Sequence, residues 1–68
     1  MAAKATRIDD VSSSLSYIGE ATVGSGESDP VWRILRITIE GTQTKVRYAG
    51  GITSWNNSWD DRASLTYI

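Results

Sequence analysis

The stretch that most constrains this chain is VWRILRITIE, residues 31–40. In an extended backbone Val31, Arg33, Leu35, Ile37 and Ile39 share one side, while Trp32, Ile34, Arg36, Thr38 and Glu40 share the other. Its β-branched residues fit a pleated surface better than a helix. Apolar groups on both sides mean that the strand is central in its sheet, or that its second face meets another subunit.

Shorter runs of the same period flank it. In SLSYIGEATV, residues 14–23, Leu15 and Tyr17 alternate with Ser14 and Ser16, and Gly19 marks a bend or bulge. KVRYAG, residues 45–50, is a returning strand with Val46 and Tyr48 inward and Lys45 and Arg47 outward, reached through the hairpin turn EGTQT. GSGESDP, with Gly24, Gly26 and the sole proline, Pro30, predicts a flexible loop. Gly50-Gly51 ends the returning strand, and Asn56-Asn57 and Asp60-Asp61 are turn residues. ASLTYI then predicts a closing strand with Ala63, Leu65 and Tyr67 on one side. Residues 1–13 show no sustained period and predict a flexible N-terminal arm, with a short helical turn as the alternative because Asp9, Asp10 and the serines are capping residues. Four or five strands, short turns and no convincing helix predict one all-β domain over residues 14–68. Its expected form is a small antiparallel meander, closed as a barrel or packed as a sandwich.

A domain of 68 residues buries only about 60% of the surface its unfolded chain exposes. Small domains make up the shortfall with disulfides, a metal or a partner subunit. This chain has no cysteine and no histidine, so self-association is the expected remedy. Seven Lys/Arg are scattered among eight Asp/Glu, for a net charge of −1. Without a basic run, nucleic acid is not expected as the main partner. The apolar runs fall far short of the roughly 20 residues that cross a bilayer, and no signal-peptide core is present. A soluble chain made in the cytosol, with no membrane partner, is therefore expected.

Chemistry-bearing constellations are few. Asp9-Asp10 and Asp60-Asp61 are the adjacent carboxylate pairs, and neighbours on a strand point to opposite faces, which does not make a proton-sharing dyad. For Asp60-Asp61 a solvated turn is a simpler reading than a weak metal site. Nucleophilic catalysis would need a Ser-Lys arrangement, and Lys4 and Lys45 sit in no such motif. No enzyme activity, metal or cofactor is expected. GSGES lacks the rest of a phosphate-binding loop, and the Asn56-Asn57-Ser58 glycosylation triplet is discounted without secretion.

The aromatic residues say more. Trp32, Trp55 and Trp59, in a chain without phenylalanine, read as core, as interface anchors or as a sugar-stacking platform. Arg62, after Asp60-Asp61, is placed for an ion pair within the turn or with a neighbour, the intramolecular pair being the simpler.

Three phrases, SLSYIGEA, WRILRI and above all WDDRASLTY, resemble short structural proteins of tailed bacteriophages. Those chains run from a tyrosine-glycine strand through a small-residue loop, a tryptophan-basic strand and an alanine-glycine corner to a closing Trp-Asp…Arg-Ala-Ser-Leu segment. The matching positions here are Tyr17, Gly19, Ala21, Trp32, Arg33, Ile34, Ala49, Gly51, Trp59, Asp60, Arg62, Ala63, Ser64, Leu65 and Tyr67. The resemblance covers residues 14–68, and this chain departs from it in carrying tryptophan at Trp55. It implies a small all-β virion component, made in the host cytoplasm and present in several copies. Its partners would be itself and other virion proteins of the neck or collar, baseplate, fibre base or capsid surface. Trp32, Arg33, Trp55, Trp59, Asp60, Arg62 and Tyr67 are the candidate interface or fold anchors, and residues 55–68 would form a corner plus closing strand. Two other readings stay open: a glycan-binding module using Trp55 and Trp59, and a small regulator that binds one host protein.

Overall fold

The computed structural model describes residues 4–68. Strands β1 (Lys4–Ser12), β2 (Leu15–Thr22), β3 (Arg33–Glu40) and β4 (Gln43–Tyr48) follow one another, with a 3₁₀ turn at Trp59–Asp61. They form one antiparallel meander in the order β1-β2-β3-β4, and the sheet is open rather than closed into a barrel. The all-β meander is as expected. Its tight turn between β3 and β4 carries Gly41 at φ 63° beside the Glu40↔Gln43 pair, a backbone that favours glycine in a two-residue hairpin. Between β1 and β2, the Ser14 N–H donates to Ser12 Oγ at 3.2 Å and Ser16 Oγ donates to Asp10 Oδ1 at 2.7 Å.

Two segments differ from the sequence expectation. Residues 4–12 of the expected flexible arm are β1, in register with β2 from Lys4↔Thr22 to Ser12↔Leu15 and bulged between Asp10 and Ser12; residues 1–3 lie outside the described residues. β1 alternates, but with polar residues on both sides, so its period is invisible to a hydrophobic pattern. The expected closing strand is a turn followed by an extended end, in which only Tyr67 bridges, to Ala49. There the Ile68 N–H donates to Tyr48 O at 2.9 Å, the Tyr48 N–H to Ile68 O at 3.3 Å and the Gly50 N–H to Thr66 O at 3.1 Å. The chain end thus pairs with the outer edge where β4 ends, from Tyr48 to Gly50.

The strand register sorts the side chains into two faces. An inner face carries Ala5, Arg7 and Asp9 of β1, Leu15, Tyr17, Gly19 and Ala21 of β2, and Ile34 and Arg36 of β3, continued by Trp32. Tyr17, Ala21, Trp32, Ile34, Ala49 and Trp59 make the buried core, with Ala5, Leu15, Leu65 and Tyr67 packed against it. The core therefore lies between this face and the C-terminal segment that crosses it. Gly19 does not bulge; it pairs regularly with Arg7 and Ile34. A Cβ there would lie 2.5 Å from Trp59 Cε3 and 3.2 Å from Trp32 Cε3, so the glycine serves close approach of the indoles to the strand. Val46 and Tyr48, expected inward, lie instead beside Ile37 and Leu35 on the opposite, outer face, and Val46 is 51% exposed. Alternation alone places residues on sides; what covers a side decides which is inward.

Candidate functional site: a tryptophan clip and an uncovered sheet face

Trp55 and Trp59 are four residues apart and lie on opposite faces of the sheet. Between them Asn57 bridges Trp32 at the start of β3: the Trp32 N–H donates to Asn57 O at 2.8 Å, and the Asn57 N–H returns to Trp32 O at 3.2 Å. The Asn57 amide adds donations to the carbonyls of Trp32 (3.1 Å), Ala49 (3.3 Å) and Ser54 (3.3 Å). These bonds fix three separate chain segments at one point. The chain crosses the end of the sheet there and sets one indole on each side, like a clip.

On the inner side Trp59 is buried over Gly19, with its ring centroid 6.0 Å from that of Trp32. The Arg62 guanidinium lies 4.6 Å from the Trp59 ring centroid, where a cation is attracted to the π-face. Its Nε donates to Asp9 Oδ2 at 3.0 Å and its Nη1 to Trp59 O at 3.0 Å. Tyr67 donates its hydroxyl to Arg62 O at 2.8 Å, its ring lies 5.8 Å from Tyr17, and Arg36 sits 4.8 Å from it. Burial, helped by Tyr17, pushes the Tyr67 hydroxyl up to about 12 against the opposing pull of Arg36 and Arg62. Trp32 is fully buried and donates its indole N–H to Gly26 O at 2.9 Å.

That bond also holds the loop expected to be flexible. Gly26 N–H donates to Asp29 Oδ2 at 2.7 Å, Ser58 Oγ to Ser28 O at 2.8 Å, and the Asp60 N–H to Glu27 O at 3.1 Å. On the outer side Trp55 is 38% exposed and receives Arg33 at 4.7 Å and Lys4 at 5.0 Å over its ring. Arg33 in turn donates to Glu20 Oε1 at 3.0 Å and to Ile52 O at 3.4 Å.

The sequence candidates therefore divide. Trp32, Trp59, Arg62 and Tyr67 meet in one inner cluster, Arg33 and Trp55 form a second pair on the outer side, and the Asp60 side chain is exposed apart from both. Arg62 pairs within the chain, as the simpler reading had it, but with Asp9 of β1 rather than with the turn aspartates. Trp55 and Trp59 share no surface, so they do not form one stacking platform. Asn57, Asp9 and Glu20 were not singled out as anchors; each acts through a partner far along the chain, and nothing local in the sequence marks it. Among the described residues there is no pocket, and no group of three or more His, Cys, Asp or Glu could hold a metal ion.

The outer face has a different character. Ile8, Ile18, Leu35 and Tyr48 are register partners in one row that crosses all four strands, and Ile37 and Val46 are partners in the next. Ile8 is 65% exposed and Ile39 45%, while Ile18, Leu35 and Ile37 are half-buried by one another. The charged residues on this face are Lys4, Asp10, Glu20 and Arg33, two of each sign. Arg33 pairs with Glu20, Asp10 accepts from Ser16, and Lys4 lies over Trp55. The apolar row between them is uncharged. None of the protein-family models, curated proteins or solved structures compared with this chain matches it.

Proposed function

We propose that this chain is a structural assembly module: a small β-domain that associates with copies of itself through its outer face and fixes neighbouring components of a tailed-phage virion. The observation that carries this reading is the apolar row across all four strands, which lies outside the buried core and ends in Ile8 at 65% exposure. Contiguous apolar surface bordered by polar groups is characteristic of interaction sites. A second copy suits it because the charges on this face cancel, so two copies meet without like-charge repulsion. Four strands about 4.8 Å apart and eight residues at about 3.3 Å span about 500 Å². Two such faces would cover about 1,000 Å², the lower end of specific interfaces. The virion setting, with synthesis in the host cytoplasm, comes from the sequence resemblance alone.

The direct test is Ile18→Glu, which sets a carboxylate in the middle of the row. The variant is expected to keep the sheet signature in circular dichroism and the buried-tryptophan fluorescence, yet to form smaller assemblies than wild type in light scattering. Wild-type chain is expected in purified particles, in several copies. A variant that assembles like wild type would overturn the role of the face, and absence from particles would overturn the virion setting.

A further inference from the structure

The two edges of the sheet are not equivalent. The outer edge of β4 is met at its last residue, Tyr48, and just beyond the strand at Gly50 by the chain's own end, Thr66–Ile68, which leaves Gln43–Arg47 as a short open stretch. Among the described residues nothing pairs with the outer edge of β1, which presents the backbone groups of a nine-residue strand. Such an edge is a template for another strand. We infer that two copies join β1 to β1, antiparallel, about a two-fold axis at Ile8, so that Arg7 of each copy lies opposite Asp9 of the other. This rests on the self-association proposed above and adds to it an edge contact, which sets two sheets side by side and leaves their joined outer face to be covered by further copies.

The register follows from symmetry and charge. A two-fold axis perpendicular to the sheet keeps both outer faces on the same side, and the residue on the axis opposes its own copy. An axis at Arg7, Asp9 or Asp10 would oppose like charges, which is destabilising. An axis at Thr6 would overlap only the first half of the strand. At Ile8 the whole of Lys4–Ser12 overlaps, Arg7 meets Asp9, and Thr6 meets Asp10. Ile8, 65% exposed in the single chain, meets Ile8, and the apolar row then runs unbroken through both sheets. Arg7 already holds Glu27 at 3.4 Å and Asp9 holds Arg62 at 3.0 Å, so the new pairs extend existing ones. The bulge between Asp10 and Ser12 ends the regular ladder at each outer end. Because the contact is isologous, it uses up the β1 edge of both copies, and pairing through β1 closes at two.

The chain has no cysteine, so a single introduced thiol reports proximity without background. At the axis, opposed Cα atoms lie about 4.5–5.5 Å apart, within reach of a disulfide. Position 6 in one copy is about 14 Å along the strand from position 6 in the other, out of reach. Under mild oxidation Ile8→Cys is expected to cross-link about tenfold or more faster than Thr6→Cys or Asp10→Cys alone. A mixture of Thr6→Cys with Asp10→Cys is expected to form the mixed dimer in preference to either homodimer. Equal rates at the three positions, in a chain that light scattering shows to be oligomeric, would overturn the β1 edge and leave the self-association standing. A chain that is monomeric and shows no position preference would overturn both.

Discussion

The inner and outer faces of this sheet are built from similar numbers of apolar side chains and end in different states. Over the inner face the chain after β4 lays Trp59, Leu65 and Tyr67, and Arg62 ties that layer back to Asp9. On the outer face, among the described residues, Ile52 and Trp55 lie at the end where Arg33 sits, Arg33 reaches to 5.5 Å from the Tyr48 ring centroid, and Ile8 at the far end of the row is 65% exposed. Residues 49–68 cross the inner face and turn around the end of the sheet. The outer face is the one that the proposal above gives to a second copy.

Changes on the inner face should unfold the domain, and changes on the outer face should separate copies. Trp59→Ala is expected to have the largest effect, about 3–5 kcal/mol, because it empties the layer over Gly19 and leaves Arg62 without its ring. For a domain this small that is a large share of total stability, and loss of the cooperative urea transition is the expected readout. Gly19→Ala comes next, at about 1–3 kcal/mol, since its methyl would overlap the Trp59 ring. A Gly19→Ala chain as stable as wild type would mean that Trp59 does not lie on β2. Neither change touches the outer face, so neither should alter the association of whatever fraction remains folded.

Alkaline titration sharpens the comparison at smaller amplitude. With the Tyr67 hydroxyl pushed up to about 12, the folded state holds its proton more tightly than the unfolded chain does. The sign is therefore that of a raised acid: its contribution is complete below about pH 10 and is lost as pH rises through about 12. Tyr67→Phe should flatten that alkaline decline, while losing at neutral pH the hydrogen bond to Arg62 O, about 1 kcal/mol. An alkaline decline of the same steepness in the variant would assign it to another group.

Much of the sheet was legible in the sequence because it is locally determined. The alternation in residues 31–40 gave β3 and its two apolar sides, and EGTQT gave the turn to β4. The two-sidedness of β3 fits either a central strand or a second face that meets another subunit, and β3 does lie between β2 and β4. What stayed hidden depends on residues far apart in the chain. Lys4–Ser12 is a strand because β2 pairs with it and because Asp9 finds Arg62 fifty-three positions away. Gly19 looked like a bulge because its reason, the Trp59 ring, is forty residues downstream. Trp59, Arg62 and Tyr67 read as anchors in the sequence, but no period reveals that Trp55 and Trp59 fall on opposite faces. Asn57, placed between them, turns the chain around the sheet end.

The central claim is that the outer face is made to be covered by another copy, and its most direct test is the mass of the wild-type chain in solution. Light scattering coupled to size exclusion, over low to high micromolar concentration, should show a discrete multiple of the chain mass that becomes more populated as concentration rises. A folded chain that stays at a single chain mass across the whole range would contradict it.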